Sequence, residues 1–319
     1  MKIIKFGGTA FQTPKLLENV CQIIINEEKP LLVVASAIGR RGFPFSTDTL
    51  IDSIKENYLS PKEFDRLLGL GETYATLFLS NALLKNHVKA YALSYLENGI
   101  GCDENYGEGL ILSLNDEKYQ RLINEYDVLV TPGFIASTND KELITLGRGT
   151  SDLSAVELAK LFKEKSVILY KDVNGVYPFY SSNILRFAPY EYLSYDEVLA
   201  LIEIGISPVN KKAILEAKKD EIEIVIRNFI ANSFSTIISS KGSERKIIGI
   251  NFENNVVLIA TFYGEKVKEE LEKLFKKQHI YIKDEVINYT NFSFKVNGSQ
   301  VLLVRQIIIS NYFKDMIRS

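Results

Sequence analysis

The order of apolar and polar positions in the first part of the chain predicts strands that alternate with helices. Residues 2–6 and 31–35 are short runs rich in β-forming residues, and residues 14–26 between them have the pattern of a helix. Such alternation is typical of βαβ units, in which consecutive strands lie parallel and are covered on both faces. The sequence therefore predicts an α/β core with a mainly parallel sheet. Further buried strands are predicted at residues 127–130, 166–170 and 222–226.

The pattern changes twice farther along the chain. Residues 48–122 have a largely helical pattern, which predicts a helical insertion or cover. After a serine-rich stretch, strand and helix patterns follow in the order βαββ and end in an apolar run at residues 301–313, which predicts a small ferredoxin-like module. We therefore expect a large domain at residues 1–232 and a small domain at residues 245–319.

Composition limits the chemistry that the protein can perform. The formal net charge of −2 cannot supply the basic face of a nucleic-acid-binding protein, so we expect no nucleic-acid partner. The chain has only two histidines and two cysteines, far apart in sequence, which argues against a histidine metal site, a Ser-His-Asp triad or a disulfide framework. Catalysis must therefore depend on Lys, Arg, Asp and Glu side chains and on the backbone.

The chain shows no sign of export or membrane insertion. Its first residues lack the apolar run of a signal peptide, and no later segment approaches the roughly 20 apolar residues of a membrane span. We therefore expect a cytoplasmic protein that does not bind a membrane.

Lys5 stands at the end of the first predicted strand and is followed by Gly7, Gly8 and Thr9. Glycines let backbone amides approach a phosphate closely, and the lysine adds a positive charge. The order differs from that of the Walker A loop, in which the lysine follows the glycines. The second strand also ends in small residues, at Ser36. Both segments are candidate anion cradles, although a tight turn after a strand would explain either one alone.

Arg148 lies between two glycines, and Ser151 and Asp152 follow it just before a helix predicted at residues 153–162. An arginine in such a loop can bind a carboxylate through two parallel hydrogen bonds. Asp152 would serve equally well as a helix N-cap. Because a cap does not explain the arginine, the segment predicts a site for a carboxylate substrate.

Two more segments are candidates for binding. Lys171 and Asp172 end a strand before an Asn-Gly turn and Tyr177, where a nucleotide or Mg²⁺ could bind, but a surface turn explains the segment equally well. Glu72 follows a glycine in the helical region and could pair with a substrate ammonium group. A solvated glutamate is the more ordinary explanation when that residue is considered alone.

Taken together and in this order, the segments resemble the signatures of the aspartokinases, a family of the amino-acid kinase superfamily. The resemblance covers nearly the whole chain and includes residues 47–50, 131–136 and 194–197. It implies an amino-acid-kinase three-layer sandwich in residues 1–232 and an ACT-like regulatory or dimerisation domain in residues 245–319. The implied activity is the transfer of the γ-phosphate of ATP, with Mg²⁺, to the side-chain carboxylate of L-aspartate.

The resemblance also implies roles for individual residues. Lys5 would offset charge on the transferring phosphoryl group, and Asp152 would organise Lys5 and the substrate. Arg148 would hold the α-carboxylate of aspartate and Glu72 its ammonium group, with Thr47 and Ser151 completing the substrate site. The expected nucleotide-binding residues are Gly7, Gly8, Thr9, Ser36, Lys171, Asp172 and Tyr177.

The chain departs from the family pattern mainly on the ATP side. Ser207 stands in place of a nucleotide-contacting lysine, the usual arginine after Tyr177 is missing, and Thr150 replaces a glycine. A single ACT-like region favours a homodimer and leaves the effector open between lysine, threonine and none. Two alternatives to an aspartate kinase remain: a kinase that forms an acyl phosphate on another amino acid, and a catalytically weak amino-acid-binding regulatory subunit.

Overall fold

The computed structural model describes residues 1–180, 187–207, 209–231, 234–242 and 245–317. The chain forms two compact units, one of Met1–Asn174 with Lys212–Phe234 and one of Gly175–Lys211 with Ser235–Ser319. The predicted domains at residues 1–232 and 245–319 remain a prediction, and residues 232, 318 and 319 at their ends lie outside the described part.

The described helices and strands alternate along most of the chain. They are β1 (Lys2–Phe6), α1 (Pro14–Asn26), β2 (Leu31–Ala35), α2 (Thr47–Ser53), α3 (Pro61–Lys85), β3 (Ala90–Ala92), β4 (Ile100–Cys102), β5 (Ile111–Leu114), α4 (Glu117–Leu122), β6 (Val128–Pro132), β7 (Ile135–Ser137), β8 (Leu143–Thr145), α5 (Ser151–Leu161), β9 (Ser166–Lys171), β10 (Tyr192–Ser194), α6 (Tyr195–Glu203), α7 (Lys211–Lys219), β11 (Glu223–Asn228), β12 (Ser235–Ser239), β13 (Gly249–Glu253), β14 (Val256–Ala260), α8 (Gly264–Lys276), β15 (Lys283–Ile287), β16 (Asn291–Lys295) and α9 (Val301–Tyr312).

The first unit is built on a parallel sheet with the strand order β11-β9-β1-β2-β6-β3. Ile4 and Phe6 of β1 pack into a core with residues of α1 and α3, whereas Lys5 between them reaches Asp152 on α5. Because alternate side chains of a strand point to opposite faces, α5 covers the face opposite to α1 and α3. This arrangement confirms the predicted three-layer α/β fold.

The segment at residues 48–122 differs from the predicted helical insertion. Helices α2 and α3 are present, but β3, β4 and β5 follow them, and β3 is an edge strand of the main sheet. Strands β4 and β5 join β7 and β8 in a small second sheet of order β5-β4-β7-β8. Strands of three or four residues carry too few alternating positions to be distinguished from a helical pattern in sequence.

Helix α3 has 25 residues and is long and apolar enough to cross a membrane by length and composition alone, which the sequence-based expectation did not anticipate. Half of its most apolar stretch is buried inside the protein, where the helix packs on β2, β3, β6 and β8. Its N-terminus carries a capping box formed by Ser60 and Glu63. These are properties of a core helix in a globular fold.

The second unit contains the parallel pair β10–β12 and an antiparallel sheet of order β13-β14-β16-β15. Helices α8 and α9 bury Phe275 and Ile308 in a core with Phe292 and Phe294 of β16. The order of β14, α8, β15, β16 and α9 confirms the predicted ferredoxin-like module. Strand β13 was not predicted, and it pairs with β14 over five residues.

Candidate active site

A buried cluster of three charged residues lies at the carboxyl ends of β1 and β9. The two strands are neighbours, with Phe6 paired to Tyr170. Lys5 Nζ donates a 2.8 Å hydrogen bond to Asp152 Oδ1, and Lys171 Nζ donates to Oδ1 and Oδ2 of the same carboxylate at 2.9 and 2.7 Å. The side chains of Lys5 and Asp152 are 6% and 5% exposed, and that of Lys171 is 16% exposed. Three residues that sequence placed in separate motifs therefore form one group.

The charges in this group are strongly coupled. Burial alone would raise the pKa of Asp152, but the ammonium groups of Lys171 and Lys5 outweigh burial and hold the pKa below its usual range. Burial lowers the pKa of Lys171 to about 8, and Asp152 opposes that change. With both lysines protonated, the three residues carry an excess positive charge that suits a phosphate.

The loops after β1 and β2 form a tight cradle beside this cluster. Gly39 N donates to Gly8 O at 2.9 Å, and a Cβ atom at Gly8 would lie 1.9 Å from Ala37 O. No side chain therefore fits at Gly8 without displacing the second loop. Among the described residues, the buried hydroxyl of Ser36 has no hydrogen-bond partner, which leaves a donor that a ligand could engage. Gly7 N donates to Tyr170 O at 3.3 Å, and Thr9 lies half-buried in the following turn.

Glu72 lies on α3 with its carboxylate directed at the loop after β2. Gly71 allows this approach, because a Cβ atom there would lie 2.5 Å from Phe45 O. Oε1 of Glu72 accepts a 3.2 Å hydrogen bond from Ala37 N, whereas the buried Oε2 has no hydrogen-bond partner in the described part of the chain. Burial raises the pKa of Glu72 to about 8, opposed by the Ala37 amide and by the charge of Lys5. Glu72 is 3% exposed, so its interpretation as a solvated glutamate is wrong.

Arg148 projects from the loop between β8 and α5. The flanking Gly147 and Gly149 have φ values of 97° and 75°, which glycine adopts readily. The side chain of Arg148 is 68% exposed, and its guanidinium donates to Asp48 on α2. Thr47, the first residue of α2, therefore lies next to the residue that contacts Arg148. An exposed guanidinium at this position can exchange a protein carboxylate for a substrate carboxylate.

Thr150 does not require the backbone conformation of the glycine that it replaces. Its φ and ψ are −81° and 8°, and its hydroxyl donates to Gly147 O at 2.6 Å. Ser151 is buried at the first turn of α5. The N-cap of this helix is Thr150 rather than Asp152, whose carboxylate binds the two lysines.

Two residues that sequence did not predict fix the surrounding elements. Ser154 Oγ accepts a 3.0 Å hydrogen bond from Phe134 N and so holds the start of α5 against the loop after β6. The buried carboxylate of Asp65 accepts from Thr145 N, Thr145 Oγ1 and Gly107 N at 2.8 to 2.9 Å, which fixes β8 just before the Arg148 loop. Asp65 lies on the buried face of α3, as Glu72 does. The sequence signal that could have identified Asp65 is a charged residue on the apolar face of a helix, at helical spacing from Glu72.

The remaining candidates make other contacts. Asp172 accepts a 2.8 Å hydrogen bond from Arg40, a residue that sequence did not predict for the site. Tyr177 is buried in the second unit. In the same unit, the Ser207 amide donates to Tyr180 Oη at 3.3 Å. In the first unit, Lys212 donates to Glu108 at 2.5 Å and to Leu146 O at 3.1 Å.

The described residues do not offer a ready-made metal site. Within them, no group of three or more His, Cys, Asp or Glu side chains lies close enough together to hold a metal ion. Two carboxylates near the cradle, Asp152 and Asp172, are each engaged by lysine or arginine. Any Mg²⁺ would therefore be held chiefly by the phosphates of a nucleotide.

The model of the amino acid kinase family matches residues 1–228. An aspartokinase of Geobacillus stearothermophilus is 30% identical over 279 residues, which cover 85% of this chain and 67% of the relative. Aspartokinase 1 of Bacillus subtilis is 27% identical over 99% of this chain and 83% of its own length. The matched part is thus shorter than either relative.

Solved structures have the same fold. An aspartate kinase of Clostridium acetobutylicum superposes with a TM-score of 0.72 at 16% identity, covering 99% of this chain and all of the solved chain. Escherichia coli aspartokinase III, solved in complex with aspartate and ADP, superposes with a TM-score of 0.65 at 16% identity over 97% of this chain and 83% of its own. The fold, the family model and the sequence relatives agree, and the chain belongs to the aspartokinases of the amino acid kinase family.

Proposed function

We propose that the protein is an aspartate kinase that transfers the γ-phosphate of ATP to the side-chain carboxylate of L-aspartate. The product is 4-phospho-L-aspartate, an acyl phosphate that begins lysine, threonine and methionine synthesis. The observation that carries the proposal is the buried cluster of Lys5, Asp152 and Lys171 beside a glycine cradle. Such a cluster presents fixed positive charge where a phosphoryl group gathers negative charge during transfer.

The phosphates of ATP fit the cradle formed by Gly7, Gly8 and the loop at Ser36. The close approach of Gly8 to Ala37 leaves backbone rather than side chains to face the ligand. Ser36 supplies a buried hydroxyl that lacks a hydrogen-bond partner among the residues that the structure describes. Mg²⁺, which is general for kinases, would arrive with the ATP phosphates and would shield their charge.

Aspartate would be held by its two α-substituents. The unpartnered Oε2 of Glu72 is a ready acceptor for the ammonium group, and that contact would favour the ionised form of Glu72. Arg148 would exchange Asp48 for the α-carboxylate of the substrate. These two contacts leave the side-chain carboxylate of aspartate directed toward the phosphate.

The attacking carboxylate of aspartate must be oriented for the reaction, but it does not need to lose a proton. The carboxylate of aspartate is ionised near neutral pH, since its unperturbed pKa is about 3.9. One of its oxygens forms the new bond to the γ-phosphorus while the bond from that phosphorus to the bridging oxygen breaks, and ADP leaves with the electron pair. Lys5 offsets charge on the phosphoryl oxygens, and Asp152 positions Lys5.

The relatives do not favour the two alternative functions. They are aspartokinases, and in the first unit Lys5 contacts Asp152 while Glu72 contacts the loop after β2. A regulatory subunit without catalysis would not need a buried excess of positive charge.

Homodimer formation and cytoplasmic location complete the proposal. Strand β15 is an edge strand of the second unit, and Val286 on it is 51% exposed. Such an edge can pair with the same edge of a second copy.

Hydroxylamine trapping tests the proposed activity, because an acyl phosphate reacts to give a coloured hydroxamate. The protein is incubated with ATP, Mg²⁺ and either aspartate or glutamate, and Arg148→Ala is compared with Arg121→Ala, which changes an exposed arginine of α4. We expect hydroxamate with aspartate only, loss in Arg148→Ala and normal formation in Arg121→Ala. Equal formation of hydroxamate with glutamate would contradict the assignment of aspartate as the substrate. No hydroxamate with either amino acid would contradict the kinase activity.

A further inference from the structure

Lys171 binds the carboxylate of Asp152 more extensively than Lys5 does. Its ammonium group lies 2.7 and 2.9 Å from the two oxygens of Asp152, whereas Lys5 lies 2.8 Å from one of them. Lys5 is near the end of β1 and Lys171 ends the neighbouring β9, so both ammonium groups reach the start of α5 from the same edge of the sheet. A phosphate that enters beside Lys5 therefore comes within the same small region as Lys171.

The excess positive charge of this region favours the binding of an anion. Two lysines share one carboxylate, which leaves an excess positive charge in a group whose side chains are 5% to 16% exposed. Glu72 is close enough to interact with Lys5, but burial favours its neutral form. Buried charge of this kind is costly unless a partner offsets it. The γ-phosphate of ATP is the anion that the proposed reaction brings to this place.

We propose that Lys171 is a second catalytic cation, which contacts the γ-phosphate together with Lys5, while Asp152 positions both ammonium groups. The inference rests on the proposed kinase function. During transfer, the phosphoryl oxygens share their negative charge between the two lysines as the bond to ADP breaks. The chain carries Ser207 in place of the nucleotide-contacting lysine of the family pattern. Lys171, in the first unit, supplies another cation.

Nucleotide binding separates this role from a purely structural one. A lysine that touches the γ-phosphate favours a triphosphate over ADP, whereas a lysine that only holds Asp152 affects both nucleotides alike. We therefore compare Lys171→Met and Lys171→Arg by titration calorimetry with ADP and with a non-hydrolysable ATP analogue, each with Mg²⁺. Lys165→Met is the matched control, because Lys165 is an exposed lysine just before the opposite end of β9.

We expect Lys171→Met to reduce the preference for the triphosphate over ADP by about 10-fold or more, the scale of one charge-assisted hydrogen bond. Its kcat should fall by roughly 100-fold with little change in KM for aspartate, since the contact strengthens as charge develops. Lys171→Arg should keep most of the triphosphate preference, and Lys165→Met should match the wild type. Thermal melting of each variant checks folding.

An unchanged triphosphate preference in both Lys171 variants would overturn the inference, as would equal losses of affinity for ADP and for the triphosphate. The binding comparison does not depend on the acceptor. If the wild type formed no hydroxamate from aspartate, the proposed function would fail while the effect of Lys171 on triphosphate binding could still be measured.

Discussion

Glu72 and Ala37 form a hydrogen bond that uses only half of the buried carboxylate. Oε1 accepts from the Ala37 amide at 3.2 Å, and no described residue provides a hydrogen-bond partner for Oε2. An acid in this environment stays protonated to a higher pH than usual, and its pKa is raised to about 8. If Glu72 has the proposed role, both substrate binding and stability should therefore depend on pH.

Stability should decrease as pH rises because of Glu72. Its pKa is about 8 in the fold against 4.5 for the unperturbed group, so between these values the folded chain holds a proton that the unfolded chain has lost. The free energy of unfolding then falls with rising pH, by on the order of 4 kcal/mol over this range from Glu72 alone. Urea denaturation across the same range should show a weaker fall in Glu72→Gln than in the wild type. Glu104→Gln, an exposed control, should follow the wild type, and identical pH dependence in Glu72→Gln would refute the prediction.

Aspartate should bind better as pH approaches 8, the pKa of Glu72. In the proposed site, the ammonium group of the substrate pairs with the ionised form of Glu72, which is the minor form below that pH. We expect kcat/KM for aspartate to rise by roughly 10-fold for each unit of pH well below the pKa and less steeply close to it. Steady-state kinetics at constant ionic strength measure this slope. A flat profile from neutral pH up to the pKa would show that Glu72 is already ionised in the free enzyme.

The cradle should not tolerate a methyl group at Gly8. Its Cβ atom would lie 1.9 Å from Ala37 O, so the loop after β2 would have to move. We expect Gly8→Ala to lower kcat/KM for ATP by roughly 100-fold, since misplaced phosphate contacts have effects of this size. Gly298→Ala is the control, because a Cβ atom there meets nothing within 4 Å. Equal kinetics of the two variants would contradict the assignment of the cradle.

Asp65 should stabilise the fold and position the Arg148 loop. Asp65→Ala would leave the buried amide and hydroxyl of Thr145 without their acceptor. We expect a loss of about 3 kcal/mol in the free energy of unfolding and a higher KM for aspartate. Asp103→Ala provides a comparison, because the partly exposed Asp103 also accepts two backbone amides but water can replace it. If Asp65→Ala lowered the free energy of unfolding no more than Asp103→Ala does, the stabilising role of Asp65 would be contradicted.

The long elements of the fold could be predicted from sequence because their signals are strong. Strands β1 and β2 coincide with the predicted residues 2–6 and 31–35. All five residues of β2 are apolar and buried, which makes its sequence pattern clear. Helix α1 likewise begins at Pro14 and ends at Asn26, as predicted. The three strands within residues 48–122 were missed because each is three or four residues long.

The residues of the candidate site could be predicted one by one, but their arrangement could not. Sequence distinguished Lys5, Glu72 and Arg148 by the glycines around them. It could not show that Lys171 shares Asp152 with Lys5, because that contact depends on the pairing of β1 with β9. Arg40 was missed as the partner of Asp172 because two distant loops bring them together.

The central claim is that this chain transfers phosphate from ATP to aspartate by means of Lys5. Phosphorus NMR of the protein with ATP, Mg²⁺ and aspartate follows substrate and product directly, with Lys5→Ala as the inactive comparison and Lys165→Met as the active one. If the claim is correct, an acyl-phosphate resonance grows in step with ADP in the wild type and in Lys165→Met and is absent in Lys5→Ala. ADP formed without an acyl phosphate, or at equal rates in the wild type and Lys5→Ala, would contradict it.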